Sequence, residues 1–136
     1  MTPQWTRVQS LEPTECMRLL TPVRWGRVAW MSTEGPQVLP VNHTVGDGAI
    51  VFRTDLYSTI ADATGAGTIA YQADELDDLM REGWSVLMVG QAHHVEDPAE
   101  MRRLWADMGE PWAPGSRPLI VRIVPTRISG RRFYKG

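Results

Sequence analysis

QVLPVNHTVGDGAIVFRTDLYST, residues 37–59, reads as a strand, a tight turn, a second strand and the opening of a helix. Leu39, Val41, His43 and Val45 alternate with Val38, Pro40, Asn42 and Thr44, which is the two-residue period of a half-buried strand. Gly46-Asp47-Gly48 supplies the positive φ that a hairpin turn needs, and Ala49 to Thr54 runs back as AIVFRT. That second strand ends on Arg53 and Thr54, and the hydroxyls of Ser58 and Thr59 follow. A guanidinium delivered to a helix start, beside free backbone N–H groups and the positive dipole end, makes an anion seat. The stretch therefore predicts a phosphate at this corner. Proline in a strand sits where no ladder N–H is wanted, so Pro40 implies an open carbonyl edge. With the Asn42 amide beside it, that edge suits the polar rim of a flat heterocycle.

Working outward, the segment before it (GRVAWMS, 26–32) is β-like with Val28 and Trp30 on one face, and the three strands form a meander. Residues 1–9 read as a mobile lead-in, with Ser10 capping a helix over 11–20 and Pro13 tolerated in its first turn. Beyond the hairpin a helix is expected over 58–64, ending at Gly65 or Gly67, then a short strand over 68–73. The acidic run DELDDLMRE (74–82) reads as a solvated loop; it has no partnering histidines and no regular ligand spacing, so no metal site is expected. Gly83 to Glu96 is the longest strand candidate, and Gly90 within it marks a bulge or a close backbone approach. Asp97 caps a helix with Pro98 at its first position and Glu100 as the capping-box partner, and Met101, Leu104, Trp105 and Met108 form its apolar stripe. After a loop rich in proline and glycine that holds Trp112, LIVRIV (119–124) is a strand apolar on both faces; Pro125 is expected to break it before Arg127 to Phe133 extends the sheet.

Six or seven short strands with three short helices and no βαβ rhythm imply a mainly β fold, an antiparallel barrel carrying helices. At 136 residues, without repeat or long linker, the chain is one domain, 1–136. A net charge of -2 gives no electrostatic reason for a nucleic-acid partner. No apolar run is long enough to span a membrane, and the lone Cys16 suits a reducing compartment, so a cytoplasmic protein is expected. Cys16 itself reads as a small buried hydrophobe.

The remaining titratable residues carry little chemistry. His43 alternates with apolar neighbours and reads as a satisfied core histidine, while His93 and His94 are adjacent on a strand and point to opposite faces. A single histidine as axial ligand to haem stays open. No serine has an elbow motif and no nucleophile–base pair is visible, so any catalysis rests on a bound cofactor.

LPVNH followed by IVFRT, REGWSV, the stretch Gly90 to Glu100, PWAPG and a closing VRIVPTRISGRR resembles the pyridoxamine 5′-phosphate oxidase-like, flavin-binding split-barrel proteins. The resemblance is to their small nitroimidazole-reductase-like branch and spans nearly the whole chain. It implies a homodimeric split β-barrel with FMN in clefts between subunits. On that basis Pro40, Val41 and Asn42 meet the isoalloxazine, and Phe52, Arg53, Thr54, Ser58 and Thr59 surround the ribityl phosphate. Trp84 and Trp112 line the cleft, from either subunit. Relatives commonly carry a lysine where Thr59 stands and an aromatic where His43 stands, which leaves a deazaflavin or haem as alternative ligands. The implied activity is a flavin-dependent oxidoreductase that reduces a small acceptor with NAD(P)H-derived electrons; the alternative is a non-catalytic flavin, deazaflavin or haem carrier.

Overall fold

A computed structural model describes residues 6–55, 60, 67–109 and 119–135. In chain order these form β1 (Thr6–Leu11), α1 (Pro13–Leu20), β2 (Trp25–Ser32), β3 (Gly35–Gly46), β4 (Ala49–Thr54), β5 (Thr68–Asp77), β6 (Glu82–His94), α2 (Pro98–Met108) and β7 (Leu119–Lys135). Every strand pairing is antiparallel. The sheet runs β1-β7-β4-β3-β2-β5-β6, and β6 pairs β7 again, so six strands close into a ring. The long β7 makes this possible. One edge lies along β6; on the other, residues 119–123 pair β4 and residues 130–135 pair β1. The barrel is thus split where β7 passes from one partner to the other.

Local chemistry sets the corners. Gly46 pairs Ala49 across a two-residue loop in which Asp47 and Gly48 have φ of 52° and 74°, the left-handed pair that a type I′ turn requires. Opposite Gly90 the β6–β7 register shifts and leaves Thr126 as the extra residue, with its Oγ1 donating to the Val89 carbonyl at 3.1 Å. A Cβ at Gly90 would overlap the Val124 carbonyl, so the bulge needs glycine on the facing strand. Pro125 sits inside this bulge, where a missing N–H costs no ladder bond, so β7 continues through it rather than breaking.

The barrel is filled from alternate positions: Val28 and Trp30 of β2, Ile50 and Phe52 of β4, Tyr71 of β5, Trp84, Val86 and Met88 of β6, Val121 and Ile123 of β7. A second cluster lies outside the wall, where Leu104 and Met108 of α2 cover Val51, Val95 and Ile120. This double cover explains why every residue of β4 is buried. Cys16 is fully buried and its Sγ lies against Gly130, as a small core hydrophobe should.

Four other expectations change. Residues 6–9 are not a lead-in but part of β1, held by Thr6↔Lys135 to Leu11↔Gly130, a partner about 120 residues away that no local pattern reveals. Ser10 therefore pairs Arg131 instead of capping a helix; α1 begins at Pro13, with Glu12 as a cap whose side chain makes no bond. The acidic run is half strand: β5 continues to Asp77 and pairs Glu82, and Asp77 Oδ1 accepts from the backbone N–H groups of Leu79 and Met80 at 3.0 Å each. Asp97 does cap α2, accepting from the Glu100 N–H at 3.0 Å, but the Glu100 carboxylate is drawn to Arg122 and Arg103. The expected helix over 58–64 and the loop over 110–118 lie, in all or most of their length, outside the described residues.

Candidate functional site

β3 has twelve residues and β4 only six, so their ladder covers just His43 to Gly46. From Gly35 to Asn42, β3 pairs β2, and among the described residues its other edge has no strand partner. The His43 N–H donates to the Arg24 carbonyl on the β2 side at 2.9 Å. Backbone groups alternate sides along a strand, so Val41 and Leu39 also turn theirs to β2, while Asn42, Pro40 and Val38 turn theirs to the open edge. Pro40 contributes a carbonyl without an N–H, and Asn42 contributes both a donor and an acceptor. Val38, Leu39 and Pro40 are exposed beside this edge. Val41 is half-buried against the barrel core, and the Asn42 Nδ2 donates to the Arg24 carbonyl at 3.5 Å.

The last rung between the two strands is His43↔Phe52. The next residues along are Asn42 and Arg53, so the two segments singled out in the sequence meet where the ladder ends. Phe52 points inward and is fully buried in the core; it belongs to the wall beneath the site. Arg53 faces the opposite way, toward α2, and is only 8% exposed. Its guanidinium carbon lies 4.5 Å from the centroid of the Trp105 ring. Thr54 beside it is buried.

Trp105 was legible in the sequence only as part of a packing stripe. Its neighbours Leu104 and Met108 do pack on the barrel, but Trp105 stands at the margin of that face, 41% exposed over Arg53. Aromatic residues at the edge of a helix stripe were the available signal.

His43 is placed as a core histidine. It is buried, its Nε2–H donates to the Leu20 carbonyl at 3.3 Å, and Nδ1 accepts from the Tyr71 hydroxyl. The Tyr71 ring meets it edge-on, 5.1 Å between centroids. Burial lowers the His43 pKa below its ordinary value, only partly opposed by the bond to Leu20, and burial raises that of Tyr71. Both ring nitrogens are used, so His43 is not available as an axial ligand. His93 and His94 are exposed on β6. Among the described residues no group of three or more His, Cys, Asp or Glu could hold a metal ion.

Trp84 is not beside the Arg53 corner within one chain. β6 stands opposite β3 in the six-strand ring. Trp84 is buried there, its Nε1–H donating to Glu75 Oε2 at 3.2 Å. It lines an open groove of about 1090 Å³ with Arg24, Trp25, Arg132 and Phe133. Ser58, Thr59 and Trp112 lie outside the described residues.

The family model for pyridoxamine 5′-phosphate oxidase matches residues 12–132. The uncharacterized protein Rv0080 of Mycobacterium tuberculosis is 36% identical over 137 residues, covering 96% of this chain and 90% of its own. A solved structure from Mycobacterium smegmatis, described as an FAD binding protein, has a TM-score of 0.75 at 29% identity and covers 94% of this chain and 99% of its own. A Corynebacterium glutamicum structure described as a candidate pyridoxamine 5′-phosphate oxidase gives 0.75 at 31%, covering 100% and 98%. With the ring closed by β6 and β7, and the LPVN and FRT segments meeting at the end of one ladder, the chain belongs to the pyridoxamine 5′-phosphate oxidase family.

Proposed function

We propose that this protein is a flavin-dependent oxidoreductase that holds FMN at the corner between β3 and β4. The observation that carries the reading is the convergence of an open backbone edge, Pro40 to Asn42, with the Arg53-Thr54 end of β4 at the last rung of one ladder. The residues fit the group. A Pro40 carbonyl and an Asn42 N–H offer the acceptor and donor that the rim of an isoalloxazine needs. Arg53 offers the cation for the ribityl phosphate, with the hydroxyls of Thr54, Ser58 and Thr59 following in the chain. The Mycobacterium smegmatis relative binds FAD by its description, which supports a flavin as the ligand class.

The bound flavin supplies the hydride chemistry that the side chains lack. The chain itself binds, orients and shields. Among the described residues at the corner, Arg53 stays protonated and His43 faces inward, so neither acts as a general acid. A second copy of the chain completes the cleft in this reading: it covers exposed Val38 and Leu39 beside the open edge and brings its own Trp84 and Trp112 within reach.

The test begins with the absorption spectrum of freshly purified protein, followed by titration of the apo form with FMN. Flavin bands or tight uptake, lost in Arg53→Ala with the fold intact by circular dichroism, are the expected result. Undiminished retention by that variant refutes the phosphate seat. A Soret band or uptake of a deazaflavin in place of FMN refutes the ligand, and a bound flavin that is not reduced by NADH or NADPH assigns the protein to carriers.

A further inference from the structure

The Arg53 guanidinium lies under the Trp105 ring, 4.5 Å from its centroid, and the two residues come from different elements. α2 is fixed independently of this contact. Leu104 and Met108 are buried against Val51, Val95 and Ile120, and Glu100 pairs with Arg122 of β7. The tryptophan is therefore presented by a rigid support. At 41% exposure it is not spent on packing, whereas Arg53 beneath it is 8% exposed.

An arginine has long rotamer freedom, and an anion must immobilise it before a bidentate bond can form. A ring held against the guanidinium removes much of that freedom in advance. A cation over a ring face is held by the ring quadrupole without a hydrogen bond being formed to the ring. The ring keeps water from that side of the guanidinium, which strengthens whatever its N–H groups bind.

We infer that Trp105 is the positioning residue of the phosphate seat, acting through Arg53 and not through the flavin ring. The inference rests on the proposed flavin site and specifies which part of the ligand Trp105 serves: the phosphate. Its effect must therefore depend on a phosphate being present and on Arg53 being there to hold it.

Apo wild type, Trp105→Ala, Trp105→Phe, Arg53→Ala and the Arg53→Ala/Trp105→Ala double variant are titrated with FMN and with riboflavin, which lacks the phosphate. Trp105→Ala is expected to weaken FMN about tenfold, with Trp105→Phe recovering most of the loss. Riboflavin affinity should stay within about twofold, the range of a surface substitution. Adding Trp105→Ala to Arg53→Ala should change FMN binding no further. Equal weakening of FMN and riboflavin, or a further loss in the double variant, overturns the inference. So does FMN binding that drops in Arg53→Ala but is unchanged in Trp105→Ala, a result that leaves the flavin site standing. Failure of the wild type to take up either flavin removes the proposed function and this inference together.

Discussion

Tyr71→Phe tests the buried pair beneath the site. In the folded protein the Tyr71 hydroxyl donates to His43 Nδ1, and both residues are almost fully buried. Removing the oxygen leaves Nδ1 as a buried acceptor without a donor, which costs about 1–3 kcal/mol. For 136 residues, the average entropy of unfolding converts each kcal/mol into about 3.5 °C, so the melting temperature should fall by roughly 4–10 °C. Urea unfolding followed by tryptophan fluorescence at pH 8, where His43 is neutral, measures the same loss without extrapolating from heat. A double variant sharpens the test. The Leu20 carbonyl that accepts from His43 Nε2 also accepts from the Val23 N–H at 3.1 Å, so it remains satisfied when the imidazole is gone. His43→Phe/Tyr71→Phe thus removes both members of the pair and orphans neither, and should cost less than the two single variants added together. A Tyr71→Phe loss below about 0.5 kcal/mol, or strict additivity in the cycle, refutes the reasoning.

Two more predictions concern the same barrel. Gly90→Ala places a Cβ against the Val124 carbonyl, a backbone atom that cannot swing away, so stability should drop by about 1–3 kcal/mol in thermal or urea unfolding; an unchanged midpoint refutes the close approach. Because burial holds the His43 pKa below its ordinary value, the unfolded chain binds the proton first on acidification. Stability from this group is complete above about pH 6.5 and falls as pH drops toward the folded-state pKa, by at most about 1.4 kcal/mol per pH unit. His43→Phe should flatten that part of the profile, and a profile equally steep in the variant assigns the acid loss elsewhere.

The parts of this fold that the sequence made legible are those decided by neighbours along the chain. Alternation over 38–45, an Asp-Gly turn and an apolar return strand specify a hairpin within eighteen residues, and the type I′ turn follows from the φ that Asp47 and Gly48 tolerate. Gly90 announced the bulge for the same reason, since an isolated glycine in a long strand has few other uses. What stayed hidden depends on distant partners. Thr6 to Leu11 carries too little apolar alternation to declare a strand, and becomes one only because the far end of β7 offers an edge. Pro125 looked like a terminator because its missing N–H is costly in a regular ladder, yet it costs nothing inside a bulge created by Gly90 on another strand.

The candidate site divides along the same line. Arg53 and Asn42 stand eleven positions apart, on the two arms of one hairpin, so their meeting was implied once the turn was read. Trp105 lies fifty-two positions beyond Arg53, on a helix whose periodicity reported only that one face is apolar. Periodicity cannot separate a ring that fills the core from one that stands at the border of the buried face, because both satisfy the same spacing. The difference arises from β4, whose outer face is apolar at Val51 and cationic at Arg53. A helix laid along such a strand must meet the first with aliphatic side chains and the second with something that tolerates a charge. Leu104 and Met108 do the one and Trp105 does the other, so the residue that bears on the site is chosen by the strand beneath it and not by the helix that carries it.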